Sequence, residues 1–205
     1  MEEFFKYGAT EINYLKEACP KMAAVINRAG ILRREVEPGL FKALVSGIVS
    51  QQISTKAATT VFTRLEDLVG ELTVEAILAK TDDEIKACGL SYRKVGYIKG
   101  ICEAIQSGKL NLDALGEMSD EEVISELVKL NGIGVWSAEM FLIFSLHRPD
   151  ILSYGDLVIR KGIMKLHNLD DISKREFEVY RKLYSPFGTV ASLYLWDLAN
   201  EKVGG

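Results

Sequence analysis

The sequence predicts an all-α protein, and three observations carry that prediction. Apolar residues recur at helical spacing, helix-starting and helix-ending residues punctuate the chain at short intervals, and no alternating run is long enough for a sheet. In chain order, Gly30 of NRAG (27–30) closes the first helical segment. Phe41, Leu44, Val45, Ile48 and Val49 follow the i, i+3, i+4, i+7, i+8 rule of an apolar helix face. Ala57, Ala58, Val61, Phe62, Leu65, Leu68 and Val69 do so again, and Gly70 stops them. Glu71 to Glu75 is the nearest approach to a strand. Thr81 with Glu84 fits a capping box, and Gly89 and Gly108 fall where the next helices should end. Ser119 with Glu122 opens a helix through Ile124, Leu127, Val128 and Leu130. Ser173 with Glu176 opens the closing pair, which reaches from Phe177 to Trp196.

Composition narrows the function classes. At 205 residues, 48% apolar and 26% charged, the chain suits one globular domain or two small lobes sharing a core. A net charge of −4 argues against a purely electrostatic nucleic-acid binder, though not against a small local patch. The charge-free stretch Ala43–Thr55 is too short and too polar to span a bilayer, so no membrane partner is expected. The start, MEEFFKYG, lacks the basic-then-apolar layout of a signal peptide, and the expected location is cytoplasmic. Cys19, Cys88 and Cys102 share no metal-binding spacing and read as buried thiols. His147 and His167 lie too far apart for a shared metal site, and His147 is read as capping the end of its helix.

The most informative stretch is LNGIGVWSAEMFLIF (130–144). Asn131-Gly132-Ile133-Gly134 breaks one helix, and a second starts near Val135, apolar nearly all round. Glycines there allow a tight turn and close approach of another backbone. The first amides of the second helix would point outward as an anion site, suited to a DNA phosphate gripped without sequence preference. Glycine turns are common, and a plain helical turn by itself accounts for LNGIG. Trp136, on a helix apolar nearly all round, reads as core. Asp156, between Gly155 and the apolar run Leu157-Val158-Ile159, reads as an N-cap that needs no chemistry.

Taken together, NRAG (27–30), FKALVSGIVSQQIS (41–54), GLSYRKVGYIKGI (89–101) and LNGIGVWSAEMFLIFSLHRPDILSYGDLVIRKG (130–162) resemble the helix–hairpin–helix superfamily of DNA base-excision glycosylases. The nearest branch is similar to 3-methyladenine DNA glycosylase II in compact form. The resemblance covers Cys19 to Gly162 in colinear order. It implies that Asp156, twenty positions after Trp136, is the catalytic carboxylate. It implies a substrate pocket at Trp136, Met140 and Gln51, and a wedge at Gln52 that fills the space left by an extruded base. Main-chain groups of Gly132, Ile133, Gly134 and Ser137 would hold the DNA backbone. Carbonyls of Val128, Leu130 and Ile133 would hold a monovalent cation when DNA is bound. Bifunctional members carry a lysine nucleophile where this chain has Trp136, so a monofunctional enzyme is expected, leaving an intact abasic strand. Met140 and Leu157 stand where larger relatives have rings, which leaves substrate range open. The cluster cysteines of the endonuclease III branch are missing, so no iron–sulfur cluster and no catalytic cofactor are expected.

The expected architecture is two helical lobes with a central cleft. Residues 31–150 would carry the wedge and the hairpin (about 119–147), and residues 1–30 plus 151–205 would carry Asp156. The expected function is excision of alkylated purines of the 3-methyladenine and 7-methylguanine type from double-stranded DNA, by a monomer. Excision of oxidised or mispaired bases, or non-catalytic binding of damaged DNA, are the alternatives. Arg93, Lys94, Lys99, Arg160, Lys161 and Lys165 read either as phosphate contacts or as solvated helix faces.

Overall fold

The computed structural model describes residues 3–201. Its elements run β1 (Glu3–Phe4), α1 (Ala9–Ala18), α2 (Pro20–Ala29), β2 (Glu35–Val36), α3 (Leu40–Ser50), α4 (Thr55–Val69), α5 (Val74–Leu78) and α6 (Asp82–Ala87). They continue α7 (Tyr92–Gln106), a 3-10 turn (Asp113–Glu117), α8 (Asp120–Leu127), α9 (Val135–Phe144), α10 (Leu157–His167), α11 (Lys174–Tyr184) and α12 (Gly188–Asn200). The all-α expectation holds. The described strands are two residues each, paired antiparallel as Glu3 with Val36 and Phe4 with Glu35.

Local chemistry sets the boundaries. All three capping boxes form, with Thr81, Ser119 and Ser173 each accepting from the amide of the glutamate three residues on. Gly30, Gly70, Gly89 and Gly108 all adopt positive φ, which lets each chain end turn away at little steric cost. Two readings are corrected. Glu71 to Glu75 is no strand, because Thr73 caps α5 through the Ala76 amide and helical bonding wins. His147 lies beyond the end of α9, at φ +55°, with its ring edge-on to Phe5, and so does not cap that helix.

The chain divides into two compact units, Met1–Val36 with Leu142–Gly205, and Glu37–Phe141. The sequence reading put the divisions near 30 and 150; the second one falls instead within α9.

In the unit formed by the two chain ends, α12 is the central element. Every residue from Gly188 to Trp196 is buried, as expected of a helix apolar on all sides. Helix α10 lies tightly against it: a Cβ on Gly162 would fall 2.5 Å from the Leu195 carbonyl oxygen, so only glycine allows this approach. Leu15, Met22, Val25 and Ile26 of α1 and α2 complete this core.

A buried polar chain also crosses this unit. His167 Nε2 lies 3.1 Å from the Tyr184 hydroxyl, which donates to Cys19 Sγ at 3.9 Å. Burial, with the Lys21 charge adding to it, pushes the His167 imidazole below its ordinary value of 6.5. The unfolded chain therefore takes up this proton first as pH falls. Stability from neutral His167 is fully present above 6.5 and is lost as pH falls towards the lower folded value. The melting temperature of the parent should drop between about pH 7 and 5, and His167→Asn should flatten that drop. Exposed Glu84, Glu122 and Glu176 are lowered from 4.5 by bonds to their caps, so their losses come at lower pH.

In the unit of residues 37–141, α7 is central. Its Val95, Ile98, Ile101 and Cys102 are buried together with Leu44, Val45 and Ile48 of α3 and Leu65, Ile77 and Ile85 of its neighbours. Full burial of each aliphatic side chain contributes roughly 1.5–3 kcal/mol. All three cysteines are buried, and burial pushes Cys102 up to about 12.

Candidate functional site

The hairpin is built by α8, the turn 128–134 and α9. Ile133 at its tip is buried and anchors the turn, and its amide donates to the Leu130 carbonyl at 3.1 Å. Gly132, at φ +90°, lies flat on Tyr97 of α7, where an added Cβ would come 2.3 Å from ring Cδ2. The turn thus requires glycine both for conformation and for space. Helix α9 begins at Gly134, whose carbonyl accepts from Ala138 at 3.0 Å. Its first turn reaches the surface, with Val135 55% and Trp136 48% exposed, whereas Ala138, Phe141, Leu142 and Ile143 are buried. That exposure removes the reading of Trp136 as plain core. Ser137 and Met140 are half-buried. The carbonyls of Val128, Leu130 and Ile133 all lie in or beside this turn. Among the described residues, no cluster of three or more His, Cys, Asp or Glu could hold a metal.

The SQQIS turn belongs to the same unit. After α3 ends at Ser50, the Gln51 carboxamide donates from Nε2 to the Gly132 carbonyl at 2.7 Å, joining this turn to the hairpin. Gln52 is exposed and held at φ +58°, a conformation that costs a non-glycine residue of the order of 1–3 kcal/mol. Ser54 then caps α4 through the Ala57 amide.

Asp156 belongs to the other unit. It is only 6% exposed and caps α10, its Oδ1 accepting from Val158 at 2.8 Å and Ile159 at 2.9 Å. Those two amides fix the orientation of the carboxylate. Leu157, next to it, is 62% exposed. The approach to Asp156 is fastened to α12. Thr189 Oγ1 donates to the Arg148 carbonyl at 2.6 Å and accepts from the Ile151 amide at 3.0 Å. Ser192 Oγ donates to the Ile151 carbonyl at 3.0 Å, and Asp150 accepts from the Gly188 amide at 3.0 Å and the Ser185 hydroxyl at 2.5 Å.

The comparison with family models decides the classification: residues 45–186 match the HhH-GPD superfamily of base excision DNA repair proteins. The chain belongs to the HhH-GPD superfamily. The match takes in the SQQIS turn, the hairpin and Asp156 together. Among curated superfamily proteins, DNA-3-methyladenine glycosylase 1 of Schizosaccharomyces pombe is 37% identical over 161 residues, covering 76% of this chain and 71% of that protein. A DNA-3-methyladenine glycosidase structure from Bacillus halodurans aligns with a TM-score of 0.86 at 35% identity, covering 97% of this chain and 93% of that one. The S. pombe 3-methyladenine DNA glycosylase in complex with abasic DNA aligns with a TM-score of 0.80 at 31% identity, covering 92% and 96%.

Within this superfamily frame, the basic residues separate. Lys99 pairs with Asp82 at 2.6 Å, Lys165 donates to the Leu198 carbonyl at 2.7 Å, and Arg160 lies over the Tyr154 ring at 5.0 Å. Arg93 and Lys161 are exposed. Sequence reasoning missed Asp150, Thr189 and Ser192. The one signal was the pair of small hydroxyl residues, Thr189 and Ser192, in the otherwise largely apolar run TVASLYLW, which require partners when buried.

Proposed function

We propose that the protein is a monofunctional DNA N-glycosylase that flips alkylated purines of the 3-methyladenine and 7-methylguanine type out of duplex DNA and leaves an abasic site. The observation that carries this is Asp156, buried and oriented by two main-chain amides at a helix start. The names of its S. pombe and B. halodurans relatives support the choice of lesion.

Opening the pair and unstacking the nucleotide costs a few kcal/mol, less for a damaged base. Gln52 is the wedge in this proposal; it is exposed at a strained turn and so projects without being part of the core. Main-chain amides of Gly132, Gly134 and Ser137 grip phosphate, as helix amino ends do, while the Ile133 amide is taken by the Leu130 carbonyl and holds the turn in shape. A monovalent cation on the carbonyls of Val128, Leu130 and Ile133 strengthens that grip. Three neutral oxygens suit such a hard ion, and the Leu130 oxygen, which already accepts from Ile133, keeps a second lone pair. Trp136, Met140 and Gln51 line the base pocket, with the exposed indole stacking on the cationic purine. Breaking the C1′–N bond leaves positive charge on the sugar, which the Asp156 carboxylate stabilises while water attacks. A base that is already cationic leaves without further protonation. Trp136 offers no amine, so the strand is not nicked. The protein acts as a monomer.

The test is free-base release from methylated duplex DNA, resolved by chromatography. Release of 3-methyladenine or 7-methylguanine, with strand breaks only after heat or alkali, is the expected result. Failure to release either base sinks the alkylpurine reading. A panel of oxidised and mispaired lesions then separates another glycosylase from a binding module.

A further inference from the structure

The Lys94 ammonium points inward, to the carboxyl end of α3. Its Nζ donates to the Val49 carbonyl at 2.8 Å and to the Gln51 carbonyl at 2.6 Å. A helix end leaves carbonyls without intrahelical donors, and a lysine from another element satisfies two of them here. The Lys94 ammonium is pushed below its usual range by burial first and by neighbouring Arg93 second, as a cation drawn partly out of water should be. Tyr97, one turn further along α7, carries Gly132 of the hairpin on its ring. Gln51 closes the loop of contacts by donating to that same Gly132. One face of α7 therefore holds the SQQIS turn with Lys94 and the hairpin with Tyr97, and Gln51 fixes the two relative to each other.

We infer that Lys94 is a positioning residue for the wedge: it holds the carbonyl of Gln51 so that Gln52 stays in its left-handed conformation with its side chain projecting. This rests on the assignment of Gln52 as the wedge in the proposed function. Two carbonyl contacts just before Gln52 leave the turn little freedom to relax, and a left-handed glutamine persists only where its surroundings impose it. Lys94 contributes through duplex opening, and the glycosidic chemistry does not depend on it.

The consequence is selective. A lesion in a fully paired duplex needs the wedge; the same lesion opposite a mismatch is already partly open and needs it less. Single-turnover release of 7-methylguanine from both duplexes is the measurement. Lys94→Met should slow release from the paired duplex about tenfold and from the mismatched one by less than about twofold. Gln52→Ala should show the same selectivity, and Lys94→Met in the Gln52→Ala background should add nothing, because both act through one element. Should the methionine variant not fold, Lys94→Gln, which keeps a donor but not the reach, must show the same selective loss in weaker form. If Gln52→Ala is selective but Lys94→Met slows both duplexes equally, or if the two losses multiply, the inference about Lys94 is overturned and the wedge stands. If Gln52→Ala slows neither duplex selectively, the wedge assignment fails and this inference with it.

Discussion

Asp156→Asn should lower the rate of base release by about 10²–10³-fold, the usual scale for removing one preorganised electrostatic group from a transition state. The substitution is chosen because it isolates charge. An asparagine carbonyl can accept from the Val158 and Ile159 amides as Asp156 Oδ1 does, and Asn and Asp are equivalent N-caps. The melting temperature should therefore stay near that of the parent. Asp156→Ala loses the cap as well, at about 1 kcal/mol, and serves as the contrast. Single-turnover release and calorimetry on the three proteins separate the two contributions. Release by the asparagine variant within a few-fold of the parent would show that Asp156 is only a helix cap.

The second large effect belongs to the hairpin. Gly132→Ala meets two penalties together: a positive φ and a Cβ driven to 2.3 Å from the Tyr97 ring. Strain and overpacking of this kind cost about 3 kcal/mol in total. Gly134→Ala makes the control, since nothing lies within 4 Å of its added Cβ and its φ is not in the left-handed range. Gly134→Ala should unfold in urea within about 0.5 kcal/mol of the parent, and Gly132→Ala well before it. The same pair separates in duplex binding, because displacing Gly132 also breaks its carbonyl contact with Gln51. Equal stability of the two variants would mean that the hairpin can rotate off Tyr97 without cost.

Helices were legible because their signals are local. Thr81–Glu84, Ser119–Glu122 and Ser173–Glu176 carry their boxes within four residues, and Gly30, Gly70, Gly89 and Gly108 need only their own φ. Thr73 was missed because the threonine that starts α5 lies inside a segment of strand-like residues. The family resemblance singled out Gly132, Trp136 and Asp156, but the packing reason for Gly132 was not legible: Tyr97, on which it lies, is 35 positions away in sequence. Lys94 illustrates the same limit. Counted by type, it was one of six cations for phosphate; its partners are main-chain carbonyls of residues 49 and 51, which no side-chain pattern announces. The hold of Thr189 and Ser192 on the segment before Asp156 is also long-range, and only the tertiary fold brings α12 to it.

The order of segments along the chain constrains how the protein is made. Residues 37–141 are continuous, so that unit has all its sequence as soon as α9 has left the ribosome. The unit holding Asp156 is split between the two ends. Its first helices emerge early with Leu15, Met22, Val25 and Ile26, the residues they will bury, and must wait for α10 and α12. From the end of α2 to the end of α12 that delay is roughly 170 residues of synthesis, or roughly 9–34 seconds at ribosomal speed. During it the greasy faces of α1 and α2 are what a nascent-chain chaperone would encounter. The hairpin thus has its whole sequence before Asp156 has been made.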